Sequence, residues 1–207
     1  MQYLEFREQL KNYPVFSLND IRKLEADFDL RRLNEWQKKN YIKKVRKSFY
    51  MFADLQVNEQ ILYTIANRIY EPSYISLQMV LSLYGLIPEA VYGITSVTSQ
   101  NTKTLKTPIG DFSYRHIRPE LMFGYELREY EGHSHQVAEI EKAVLDYLYL
   151  NAKLESREDF EGLRFNAAEF KSKVNMERFN KYLEVFSNNA LRKRVKKFLT
   201  YIEHAQS

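Results

Sequence analysis

The sequence predicts an α+β protein in two parts, and three observations predict it. The first 56 residues place helix-spaced apolar positions ahead of a short basic hairpin pattern. Residues 92–138 carry short β-branched and aromatic runs broken by Gly and Pro, which reads as paired strands. From residue 139 onward apolar positions recur every three or four residues, as on helices.

Leu4, Phe6 and Leu10 among charged neighbours predict a first helix over residues 1–12, ended by Tyr13-Pro14 because the residue before proline avoids helical backbone. Ser17 reads as an N-cap for a second helix, with Asp20 closing a capping box. Leu18, Ile21, Leu24 and Phe28 keep helical spacing. Asp29 is a second N-cap candidate, and Leu30, Leu33 and Trp36 follow at intervals of three, facing inward. Residues 41–46 and 49–52 read as paired strands with Lys47-Ser48 as the turn. Helix, helix–turn–helix and two-stranded wing make residues 1–56 a winged helix–turn–helix.

Residues 57–207 form the second unit, expected to be mixed α/β with a mainly antiparallel sheet. Its first helix starts at Asn58 or Glu59, runs through Arg68 and is broken by Pro72. A second spans 76–84 and stops at Gly85, where glycine takes the left-handed conformation that ends helices. Residues 92–98 read as a strand. Residues 104–107 and 112–117, joined by Pro108-Ile109-Gly110-Asp111, read as its neighbours. Residues 122–128 and 134–138 are further strands around Gly132. Residues 139–149 make an amphipathic helix with Ile140, Ala143, Val144, Tyr147 and Leu148 on one face. The chain from 158 onward is helical, ending in a segment over 188–204.

Composition narrows the function. Hydrophobic residues are 44% of 207, enough for a packed core, and 16 Tyr with 13 Phe must largely fill it. The absence of Cys excludes disulfides and thiolate metal sites. The charged N-terminus MQYLEFREQL does not read as a signal peptide, and no apolar run reaches membrane-spanning length. A cytoplasmic protein without a membrane partner is expected. Residues 1–56 hold 12 basic and 8 acidic side chains, residues 191–207 hold 5 and 1, and the stretch between is net acidic. Basic ends point to a polyanion partner.

The charge is densest at residues 31–47, where Arg31, Arg32, Lys38, Lys39, Lys43, Lys44, Arg46 and Lys47 face a single acid, Glu35. With Leu33 and Trp36 inward, Arg31, Asn34, Glu35 and Lys38 lie outward, flanked by Arg32 and Gln37. Arg and Asn can present paired hydrogen-bonding groups to guanine and adenine. Lys38, Lys39, Lys43, Lys44 and Lys47, with Ser48 at the wing tip, suit phosphates. From charge alone, a solvated basic face on a protein-binding module explains the pattern equally well.

The phrases RRLNEWQKKNYIKKVRKSFY (31–50), ILYTIANRIYEPSYISLQMVLSLYGLIPE (61–89), ITSVTSQNTK (94–103), IGDFSYRHI (109–117), FGYE (123–126) and EKAVLDYLYLN (141–151) together resemble the AbiEi family. This is the antitoxin half of a bacterial abortive-infection, type IV toxin–antitoxin system. The resemblance implies a winged helix–turn–helix that binds repeats in its own promoter and represses the operon. It also implies a C-terminal antitoxin unit, here from about residue 58, that opposes an AbiEii-like nucleotidyltransferase toxin without requiring a stable complex. Paired half-sites would let two protomers bind cooperatively. The family usually has glycine where this chain has Asn40 and Ser48. Asn tolerates left-handed backbone; Ser48 is less suited to it, so a longer or differently shaped wing is expected.

Other signals have ordinary explanations. Arg192, Lys193, Arg194, Lys196 and Lys197 surround an apolar stripe and read first as a solvated helix face, second as another nucleic-acid surface. His133 and His135 with Glu131 lack a third convincing ligand, so neither metal nor cofactor is expected. Tyr63, Tyr70, Tyr74 and Tyr84 read as core residues before base-stacking platforms. Asp111, Glu120 and Glu126 are the carboxylates a Mg2+-dependent nuclease with a winged-helix targeting domain would use, but their spacing makes no motif. That enzyme is the alternative reading, and a protein-interaction module gripping an acidic partner is the third. The leading expectation is a non-enzymatic promoter-DNA-binding autorepressor and antitoxin serving phage defence.

Overall fold

Phe6 and Leu10 sit one helical turn apart on the first helix, and both are buried. They begin a chain whose computed structural model describes residues 1–88 and 91–205; Glu89, which closes the 61–89 phrase, lies outside the described residues. Helix α1 (Tyr3–Leu10) is followed by a two-residue strand β1 (Phe16–Ser17) and helix α2 (Leu18–Leu24). The capping box at α2 forms. The Asp20 N–H donates to Ser17 Oγ at 3.2 Å, and the Ser17 N–H donates to Asp20 Oδ2 at 2.8 Å, meeting two N–H groups that a helix start leaves free.

Helix α3 (Arg31–Lys38) buries Leu33 and Trp36. Leu30 does not face inward: it is 42% exposed, because it sits at the N-cap position before the helical face is established, and Phe28 is buried in its place. Asn40 takes φ +53 and turns the chain into β2 (Ile42–Arg46) and β3 (Phe49–Phe52). Ser48 adopts φ +68, so the turn stays short. The pairing is irregular inside β2: Lys44 opposes Tyr50 while Arg46 opposes Phe49, leaving Val45 as the extra residue of a bulge. Strand β1, absent from the sequence expectation, pairs with β3, and the order is β1-β3-β2.

This small sheet is shared. Tyr50 and Phe52 join Phe6, Phe16, Phe28 and Trp36 in one buried cluster. Met51, on the opposite face of the same strand, joins Val15, Val45 and the residues that follow in a second, larger cluster. The period-two alternation of a strand makes both faces apolar here.

The second cluster begins with α4 (Glu59–Ile69), capped by Asn58 Oδ1, which accepts from the Ile61 N–H at 2.9 Å. A strand β4 (Ser73–Ile75) and helix α5 (Gln78–Leu83) follow. Five more strands are β5 (Ile94–Thr98), β6 (Lys103–Thr107), β7 (Gly110–His116), β8 (Tyr125–Tyr130) and β9 (His133–Ala138). They order as β6-β7-β5-β4-β9-β8. The sheet is mixed and mainly antiparallel, as expected: β4–β5, β6–β7 and β8–β9 pair antiparallel, while β5–β7 and β4–β9 are parallel. Strand β7 neighbours β5 as expected; β6 instead lies beyond β7 as a sheet edge.

Helix α6 (Ile140–Leu150) runs among α5, β9, α9 and α10, and four helices close the chain: α7 (Arg157–Gly162), α8 (Ala167–Lys173), α9 (Met176–Phe186) and α10 (Asn189–His204). Ser156, Asn166, Asn175 and Asn188 each accept a backbone N–H of the helix that follows, which is why these short segments start where they do. The described residues thus form a mixed α+β protein with ten α-helices. None of these helices is long and apolar enough to cross a membrane.

Candidate functional site

The 3.6-residue period of α3 sorts its side chains by face. Leu33 and Trp36 are buried, Arg31, Asn34, Glu35, Lys38 and Lys39 are exposed, and Arg32 and Gln37 lie between. Two of these are already engaged. Arg32 donates an Nη1 hydrogen bond to the Met1 carbonyl, whose amino group pairs with Glu25 at 2.7 Å. Gln37 donates Nε2 to the Leu33 carbonyl at 3.1 Å. Arg31 is 87% exposed yet held by Asp29 at 2.9 Å. The Arg31 guanidinium keeps the Asp29 carboxyl below its ordinary range, so Asp29 is ionised at neutral pH.

Strand β2 extends the charge. Lys43 and Lys44 are both exposed between the buried Ile42 and Val45, on a strand that forms the edge of its sheet. Lys47 is exposed at the turn, while Ser48 is half-buried and its carbonyl accepts the Leu18 N–H at 2.9 Å. Arg46 turns away from this surface. It donates to the Ile69 carbonyl and stacks over Phe49 at 5.4 Å and Tyr70 at 5.9 Å. It ties the hairpin to the second core.

A shallow groove of about 810 Å³ flanks α3, lined by Tyr3, Leu4, Arg32, Glu35, Lys39 and Tyr41 among others. Beside it stands a face of ammonium and guanidinium groups with two carboxylates, Glu35 and the Asp29 that pairs with Arg31. Such a face attracts polyanions at long range, and salt screens the attraction.

The second basic run is divided. Arg192, Lys193, Lys196 and Lys197 are exposed on α10. Arg194 is not a surface cation: it is 7% exposed and donates to the Leu148 and Ala152 carbonyls at 3.0 and 2.9 Å. The helix period brings it to the same buried side as Leu191, Val195 and Phe198. Lys196 and Lys197 border a cavity of about 370 Å³ walled by Phe160 and Tyr201.

His133 and His135 both lie on β9, the first half-buried and the second buried. His135 is 1% exposed, packed edge-on to Tyr63 at 5.5 Å, with Thr64 Oγ1 at 3.4 Å from Nδ1. Burial pushes its imidazole below the ordinary value, and Arg128 adds to this. Among the described residues no group of three His, Cys, Asp or Glu side chains is placed to hold a metal ion. Asp111 on β7, Glu120 in the 3-10 turn Pro119–Leu121 and Glu126 on β8 lie on separate elements, and Glu126 pairs with Arg128 at 2.7 Å. Tyr63 and Tyr74 are buried, as a core role requires, whereas Tyr70 and Tyr84 are half-buried.

One polar cluster was not anticipated. Lys142 and Asp146, one turn apart on α6, are both fully buried and paired. Lys142 Nζ also donates to the Tyr74 hydroxyl at 2.8 Å, and Tyr74 and Ser76 donate to Asp146 Oδ2 at 2.8 and 3.0 Å. Burial alone drives the Lys142 amine down and the Asp146 carboxyl up; the pairing opposes both shifts. The i,i+4 Lys–Asp spacing was visible in the sequence, but such pairs usually face solvent.

No model of a known protein family matches the chain, and no curated protein matches it.

Proposed function

We propose that the chain binds double-stranded DNA through α3 and the β2–β3 hairpin, acting as a winged helix–turn–helix autorepressor of its own operon. In this reading Arg31, Asn34 and Lys38 face the major groove while Lys43, Lys44 and Lys47 meet phosphates. The observation that carries it is the burial pattern of α3: the apolar residues seal one side, and every outward position except Glu35 is cationic or a base-edge donor and acceptor. The C-terminal unit is the antitoxin against a nucleotidyltransferase-like toxin, without catalysis of its own. That half rests on the AbiEi-like phrases between residues 61 and 151.

A duplex from immediately upstream of the coding sequence tests the DNA half. The protein should retard it in preference to scrambled duplex of equal length, with affinity falling linearly against log salt concentration. Asn34→Ala with Lys43→Glu and Lys44→Glu should abolish the preference. Equal affinity for both duplexes, or cleavage of either with Mg2+, overturns the proposal. Co-expression with the neighbouring toxin tests the other half: growth should recover with the full chain, and a protein that leaves growth arrested is not the antitoxin.

A further inference from the structure

Arg31 is the first residue of α3, and its backbone N–H and side chain are both held by the same carboxylate. The backbone N–H donates to Asp29 Oδ1 at 3.0 Å. Nε lies 3.1 Å from Oδ1 and 3.0 Å from Oδ2, and Nη2 lies 2.9 Å from Oδ2. Asp29 is itself fixed to the helix, since its carbonyl accepts the Arg32 N–H at 3.1 Å. The carboxylate is thus bonded to the first turn of α3, and the guanidinium to the carboxylate.

The geometry of a guanidinium makes this more than a surface ion pair. The group is a planar fork of five N–H donors. Asp29 occupies the side edge formed by Nε and Nη2. That leaves the end edge, formed by Nη1 and Nη2, open to a further acceptor, and the side chain is 87% exposed. Two parallel N–H donors at that spacing match the O6 and N7 acceptors of guanine in the major groove. Arg32 is held differently, by a main-chain carbonyl near the N-terminus, and the lysines on this face are point charges without a fork.

We infer that Asp29 is a positioning residue that aims the Arg31 fork at a guanine in the bound duplex, making this pair a determinant of base specificity. The inference rests on the DNA-binding reading of α3. Asp29 also carries negative charge toward a polyanion. It therefore opposes non-specific attraction while it improves discrimination, and these two effects have opposite signs when Asp29 is neutralised. A residue that merely supported the helix would lower both kinds of binding together.

Full-length protein is used to select from a pool of duplexes randomised over twenty positions, and the selected motif is then measured against mixed-sequence duplex at fixed salt. The wild type should select a motif containing a guanine that tolerates no other base. Asp29→Asn, which can still accept the helix N–H, should lose preference at that one position, on the order of tenfold, while affinity for mixed-sequence duplex holds or rises. Arg31→Lys should lose the same position, and the double variant should lose no more than either single one. Unchanged base preference in Asp29→Asn overturns the inference and leaves the DNA-binding reading standing. So does a parallel fall in both affinities. A wild type that selects no motif overturns the reading and the inference with it.

Discussion

Arg68 of α4 donates Nη2 to both carboxylate oxygens of Asp20 in α2, at 2.9 and 3.1 Å, while its Nη1 bonds Glu71 at 3.0 Å. Asp20 is the residue that closes the capping box with Ser17. One carboxylate therefore stabilises the start of α2 and fastens that helix to the second core.

This arrangement predicts the effect of Asp20→Asn. Burial pushes the Asp20 carboxyl up, but the Ser17 N–H and hydroxyl and the Arg68 charge outweigh it and hold the group below its ordinary value. Its contribution is then present above the unfolded-state value and is lost as pH falls through the lower native one. Asp20→Asn should cost about 1–2 kcal/mol at neutral pH and flatten the acid limb of a stability–pH curve. Chemical denaturation between neutral pH and strong acid measures both.

The shared sheet gives a second prediction. Val15, Val45 and Met51 belong to the larger buried cluster although they precede residue 57. Met51→Ala should cost about 2–5 kcal/mol. A fragment beginning at residue 58 should melt at a lower temperature than the full chain and bind a hydrophobic dye. Equal stability of fragment and full chain would show that the hairpin adds nothing to the second core.

Lys142 and Asp146 predict a non-additive pair. Lys142→Met leaves a buried carboxylate without its cation and should cost about 3–5 kcal/mol. Adding Asp146→Asn, which keeps an acceptor for Tyr74 and Ser76, should recover much of that loss. Urea unfolding of the two single variants and the double one reads the coupling; additive losses would refute it.

His135 predicts an acid sensitivity separate from the carboxylates. Its native value is lowered by burial and by Arg128, so protonation favours the unfolded chain. Stability should be full above the unfolded-state histidine value, near 6.5, and decline below it, at no more than about 1.4 kcal/mol per pH unit. His135→Gln should remove that slope between about pH 6.5 and 5 without removing the steeper loss at lower pH.

Much of the fold and of the candidate site follows from local chemistry. Ser17, Asn58 and Gly85 mark helix ends because caps and left-handed stops depend on residues a few positions apart. Leu33 and Trp36 define the inner face of α3, so the outward set of Arg31, Asn34, Glu35 and Lys38 was legible from spacing. The turn at Lys47-Ser48 was legible too, with Ser48 itself taking the left-handed conformation.

Tertiary structure decided what lies across those faces. Periodicity reports that a side chain is inward or outward on its own element and is silent on its partner. Basic residues normally face water, so spacing groups Arg194 with its exposed neighbours; it is buried where the Leu148 and Ala152 carbonyls, more than forty positions away in sequence, accept from its Nη1 and Nη2. Lys142 and Asp146 lie outside the apolar face that spacing assigns to residues 139–149, and Tyr74 from a distant strand makes their burial tolerable. Strand order was equally hidden, since parallel pairing of β4 with β9 depends on contacts between segments some sixty residues apart. The one-dimensional pattern set which residues turn inward; the meeting of distant segments set what each of them meets there.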